Sequence, residues 1–132
     1  LPRKTDSGNP SDWLHVAESE LVGIRLLVEQ EVSYWMCQSK LAEILEKVLK
    51  AELIRSGWRL IKTHDLQRLA GELHALSSDL TETIKPLCAS LAEKYFIDRY
   101  PGFDLDDPDW KVLRGQLDQV AALLAKVKSR IQ

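Results

Sequence analysis

The sequence predicts an all-α protein, an up-and-down bundle of four or five helices. Three observations carry that expectation. Apolar residues recur at alternating three- and four-residue steps in five separate stretches, no stretch alternates every second residue as a half-buried strand would, and Gly, Pro, Ser and Asp cluster between the stretches. At 132 residues, with 45% hydrophobic and 29% charged residues, the chain has the size and balance of one domain around one core.

Residues 1–10 mix Pro, Gly, Ser, Asn and charge without an apolar period and read as a flexible arm, so the helical domain is expected over 11–132. The first helix takes Ser11 or Asp12 as its N-cap, and Leu14, Ala17, Leu21, Ile24 and Val28 fall on one stripe. A second helix runs from about Ser33 to Ser56. Its Leu41, Ile44, Leu45, Val48 and Leu49 form a wide apolar stripe, while Glu43, Glu46, Lys47 and Lys50 are assigned to a wet face. There Glu43 with Lys47 and Glu46 with Lys50 have acid-before-base spacing, contributing about 0.3 kcal/mol each. Gly57 supplies the stop.

Thr63 is the expected cap of a third helix carrying Leu66, Leu69, Leu73 and Leu76. Asp79 and Glu82 form a capping-box pattern for a fourth, with Leu80, Ile84, Leu87, Leu91 and Tyr95 on its stripe and Pro86 disturbing it. Asp107-Pro108-Asp109 starts the fifth: an N-cap aspartate, a proline at the first position and an acid in the first turn. From there Trp110, Leu113, Leu117, Val120, Leu124, Val127 and Ile131 keep a heptad seam of the kind found in bundles.

A formal net charge of −2 gives no global attraction to nucleic acid, so such binding would need a local patch. No run approaches the roughly eighteen apolar residues of a membrane span, and no membrane association is expected. Cys37 and Cys88 lie in apolar periodic stretches without Cys-x-x-Cys spacing or a histidine placed to complete a zinc site. They are expected to be reduced core residues. The aspartates at 104, 106, 107 and 109 lack the glycine and terminal glutamate of a calcium loop and read as a solvated loop. Neither a metal nor a cofactor is expected. With no apolar signal region at the start and no disulfide pattern, the expected location is cytoplasmic.

One ordered series of motifs stands out: Glu46-Lys47-Val48-Leu49-Lys50-Ala51, then Gly57, then Lys62-Thr63-His64-Asp65-Leu66, and later Arg99-Tyr100-Pro101. The series resembles HEPN domains, a helical family named for its occurrence in higher eukaryotes and prokaryotes and for nucleotide binding, and the resemblance extends from Asp12-Trp13-Leu14 through the last helix. It implies a four- or five-helix bundle, usually a homodimer, acting with a minimal nucleotidyltransferase protein in systems of the toxin–antitoxin type. Many members cleave RNA with an arginine followed several residues later by a histidine, late in the domain near the dimer cleft. Here no histidine follows His74. Family members also commonly carry two glutamines just before the Glu-Lys pair, where this chain has Ala42-Glu43-Ile44-Leu45.

The residues to which a site can be assigned follow. Arg99 and Tyr100, placed near the cleft by the resemblance, could hold a phosphate and move a proton, or could simply end the fourth helix ahead of Pro101. His64 could be oriented by Asp65 for proton transfer or phosphate contact; equally, Thr63 and Asp65 could be helix-start residues with His64 packed beside them. Arg55, Arg59, Lys62 and Arg68 surround the turn after the second helix, where a phosphate could bind and Trp58 could stack on a base, or where a helix end is merely solvated. Arg59 precedes His64 by five positions, the nuclease spacing, but in the connection between helices two and three. Catalytic candidates are therefore Arg99, Tyr100 and His64, and nucleotide or RNA contacts are assigned to Arg59, Lys62, His64, Arg99 and Tyr100. The combined expectation is a non-catalytic or weakly catalytic HEPN protein that dimerises, works with a nucleotidyltransferase partner and takes nucleotide or RNA as ligand. A metal-independent ribonuclease and a plain helical adaptor are the alternatives.

Overall fold

The computed structural model describes residues 7–59, 62–92, 94 and 107–131. Within them the chain forms α1 (Pro10–Glu29), α2 (Tyr34–Arg55), α3 (Leu66–Ala75), α4 (Thr81–Leu91) and α5 (Trp110–Ile131), and no strand. The predicted stripes of α1 and α2 and the seam of α5 from Leu113 to Val127 are buried, because a three–four alternation puts those side chains on one side of each helix. No described helix is long and apolar enough to cross a membrane.

The caps fall on other residues than the local pattern suggested. Asn9 rather than Ser11 or Asp12 starts α1: its side chain accepts the Ser11 amide at 3.0 Å, and Pro10 takes the first position, where a missing N–H leaves nothing unsatisfied. Asp12 instead accepts the Ser7 hydroxyl at 2.6 Å, and the Trp13 indole donates to the Ser7 carbonyl at 2.8 Å. Asp65, not Thr63, caps α3, accepting the Gln67 and Arg68 amides, while Thr63 Oγ1 accepts the Asp65 amide one step earlier. The capping box at Asp79 and Glu82 is not formed. Leu80 occupies the cap position without a side-chain hydrogen bond, and Asp79 turns to α5 instead. Asp109 Oδ1, two residues past the expected Asp107, accepts the Val112 amide at 3.1 Å. The starts of α1, α3 and α5 each offer more than one Asn, Asp, Ser or Thr residue that satisfies the same local rule, and tertiary position selects among them. Pro86 lies inside α4 without ending it. Tyr95 and the expected loop from 101 to 106 lie outside the described residues.

The first three helices end alike. After α1 the Val32 amide reaches back to the Leu27 carbonyl and the Glu31 amide to Val28; after α2 Trp58 reaches Leu53 and Gly57 reaches Ile54; after α3 Ser78 reaches Leu73 and Ser77 reaches His74. This paired pattern needs a left-handed residue at the turn. Gly57 supplies it at φ 89°, as expected for the stop of α2, whereas Glu31 and Ser77 adopt φ 55° as ordinary residues.

The four-residue connection after α1 makes an antiparallel hairpin in which Trp13 lies beside Lys50 and Glu20 beside Lys40 and Lys47. Helix α5 runs antiparallel to α1, with Lys128 on Glu18 and Arg114 reaching the Val28 carbonyl, and parallel to α2, with Trp110 edge-on to Tyr34 and Arg130 on Glu52. The short α3–α4 hairpin packs on the remaining side of α2. Thus α2 is the central helix, and its wide apolar stripe is covered by the chain's own neighbours; the stripe does not require a second copy of the chain.

Centrality also overturns the assigned wet face. Glu46 and Lys50 are only 6% and 3% exposed, and Glu52 only 1%. A charge at such depth needs a partner. Glu52 accepts hydrogen bonds from Arg55, one turn on, and from Arg130 of α5; Arg130 also holds Asp79 at the start of α4. The hydrogen bond from Arg130 holds the Asp79 carboxyl below its usual range. One guanidinium thereby ties α5 to α2 and to the start of α4. Both cysteines are buried free thiols; burial raises Cys37 and pushes Cys88 up to about 12, which disfavours the thiolate in both.

Removing Arg130 leaves a nearly inaccessible carboxylate with one cation in place of two. Arg130→Ala is expected to lower unfolding stability by about 3 kcal/mol, read from urea denaturation followed by circular dichroism; a change within experimental error would show that Glu52 is satisfied by Arg55 alone.

Candidate functional site

Two runs of charge contacts lie in the angle between α1 and α2. Helix periodicity places Lys40, Glu43, Lys47 and Lys50 of α2 within reach of Glu20 and Trp13 on α1. Lys40 Nζ lies 2.9 Å from Glu20 and 2.7 Å from Glu43; Lys47 also hydrogen-bonds Glu20; Lys50 Nζ lies 2.9 Å from Glu46 and 5.1 Å from the centre of the Trp13 ring. Burial works to raise the Glu20 carboxyl, and the hydrogen bonds from Lys47 and Lys40 more than offset it, holding the group below its ordinary 4.5. Lys40 is shifted the other way: burial disfavours its charge, but Glu43 and Glu20 outweigh that and raise it.

The connection after α2 closes the upper end of this angle. His64 Nδ1 stands 2.9 Å from Glu46 Oε1. Together Trp13, the α2 residues Glu43, Glu46, Lys47 and Lys50, and the strip Lys62-Thr63-His64 line an open cleft of about 350 Å³. At its floor Glu46 and Lys50 are buried and Glu43 and Lys47 half-buried, its rim carries the exposed Lys62 and His64, and an indole forms part of its wall. Such a cleft can hold a small anion at the rim and an apolar or aromatic group against the wall.

A family model of the HEPN domain matches residues 10–129, from the first residue of α1 into the last turn of α5. The chain belongs to the HEPN domain family. Among curated proteins and among solved structures nothing matches it. In this HEPN domain the two central motifs of the sequence, Glu46-Lys47 with Lys50 and Lys62-Thr63-His64, line one cleft, although 11 residues separate Lys50 from Lys62 along the chain.

The assigned site residues are divided by the structure. Lys62 and His64 come together on the cleft. His64 pairs with Glu46 of α2, while Asp65, the expected orienting acid, is the α3 cap. Arg59 and Arg68 are exposed near the turn, Arg55 is engaged by Glu52, and Trp58 is half-buried against the core. Arg99 and Tyr100 lie outside the described residues. Trp13, Glu20 and Lys40 were missed altogether. For Glu20 and Lys40 the signal was faint but present: Glu20 on α1 can meet Lys40 and Lys47 on α2 only if the two helices form a hairpin. Among the described residues no cluster of His, Cys, Asp or Glu could hold a metal ion.

A carboxyl held low when folded contributes stability that is complete above its unfolded value and drains as pH falls through the folded one. Thermal unfolding is therefore expected to lose stability progressively below pH 4.5, and Glu20→Gln to flatten that acid limb while lowering the plateau near neutrality; an unchanged acid limb would show that Glu20 is not held by its two lysines in solution.

Proposed function

We propose that this HEPN domain is a cytoplasmic, non-catalytic or weakly catalytic binding protein that takes nucleotide or RNA in the α1–α2 cleft, dimerises, and works with a minimal nucleotidyltransferase partner in a system of the toxin–antitoxin type. The observation that carries the binding reading is the convergence of Lys62, Thr63 and His64 on the same cleft as Trp13 and the Glu46-Lys47 motif. The ammonium of Lys62 and the Thr63 hydroxyl supply donors for a phosphate, and the half-buried indole of Trp13 supplies a surface for a base. Dimerisation rests on the habit of the family, in which HEPN domains often pair, and the partner rests on the resemblance alone.

The experiment is titration of the purified protein with a fluorescent single-stranded RNA and, separately, with ATP. Saturable binding is expected, and Lys62→Ala is expected to weaken it about tenfold, the loss of one charge-assisted hydrogen bond. Absence of saturation for both ligands up to millimolar concentration would remove the reading. Mass measurement in solution is expected to give twice the chain mass; a monomer at all concentrations would remove dimerisation while leaving binding intact.

A further inference from the structure

The charge that the cleft accepts follows from the charges that line it. On the α1–α2 face Lys40, Lys47 and Lys50 meet Glu20, Glu43 and Glu46, each ammonium paired with at least one carboxylate. Three cations and three anions cancel. Glu46 and Lys50 are 6% and 3% exposed, so neither can turn to a ligand without leaving its partner uncompensated where water does not reach. Lys62 stands apart from this set: it is on the cleft, exposed, and makes no ion pair among the described residues. The cleft therefore presents about one unit of positive charge above a neutral floor whose carboxylates Glu43 and Glu46 form part of the wall.

We propose that the cleft is matched to a singly charged phosphate group, the internucleotide phosphodiester of a single-stranded RNA, and discriminates against nucleoside polyphosphates. This deepens the binding reading above and rests on it. A phosphodiester brings one negative charge, which Lys62 balances, and the bases on either side of it supply a ring for the wall at Trp13. A terminal phosphate monoester already carries about −1.5 to −2 at neutral pH, and a triphosphate more; the surplus would face Glu43 and Glu46, whose lysines are already engaged. Polyphosphate sites solve the same problem with unpaired cations or a ring of backbone donors, and the described part of this cleft offers one unpaired lysine.

The test compares three probes by calorimetry at fixed ionic strength: a dinucleoside monophosphate, a short single-stranded oligoadenylate RNA, and ATP. The wild-type protein is expected to bind both diester probes about tenfold more tightly than ATP, and affinity for the RNA is expected to fall with salt at a logarithmic slope of about −0.7, the release of one counterion from a single strand. Glu43→Gln removes one wall carboxylate while Glu20 still holds Lys40. That variant, shown by circular dichroism to be as helical as wild type, is expected to narrow the diester-over-ATP preference about tenfold. ATP binding as tightly as the diesters, a salt slope twice as steep, or an unchanged preference in Glu43→Gln would each overturn the charge match and leave the binding reading standing. No saturable binding of any probe would overturn both.

Discussion

The rest of the structure depends on one constraint: α2 is enclosed by its neighbours, and charged residues spaced around it must find counter-charges inside the bundle. A surface helix would let Glu46, Lys50 and Glu52 face water, where pairing contributes little. At 6%, 3% and 1% exposure they have no such outlet. Their partners therefore fix geometry. Arg130 on Glu52 sets the end of α5 against α2, Asp79 on Arg130 sets the start of α4, and Glu20 between Lys40 and Lys47 sets the register of the α1–α2 hairpin. An apolar seam tolerates sliding; a buried carboxylate between two named cations does not.

The same constraint shapes the cleft. Because the charges on its floor are consumed in holding helices together, its polarity is high but its net charge is low, and whatever it binds must be recognised at the rim. Gly57 ends α2 and Asp65 restarts the helix as α3, and between them Lys62, Thr63 and His64 stand at that rim, with His64 against Glu46 of α2. His64 is anchored by Glu46, a residue that simultaneously holds Lys50, and Lys50 in turn lies over Trp13. A chain of contacts thus joins the family's two central motifs to the first helix.

Much of this was legible in the amino-acid order. The five helices, the buried faces of α1 and α5, the stop at Gly57 and the burial of both cysteines follow from periodicity and backbone preference, which act over a few residues and are written locally. The series from Glu46 to Tyr100 carried the family. The caps were legible only as short lists of candidates, since Asn9, Ser11 and Asp12, or Thr63 and Asp65, meet the same local rule.

What the sequence by itself determined is the helical class, the division into five helices, and the set of matched acids and lysines in α1 and α2. The tertiary structure alone decided which of those charges are buried, which acid answers which lysine, and that His64 pairs with Glu46 instead of Asp65. The physical reason is that periodicity distinguishes an apolar face from a polar one but is silent on what stands opposite the polar face. Around α2 that face is met by α1 and by the strip from Lys62 to His64, elements brought there by two turns and a hairpin.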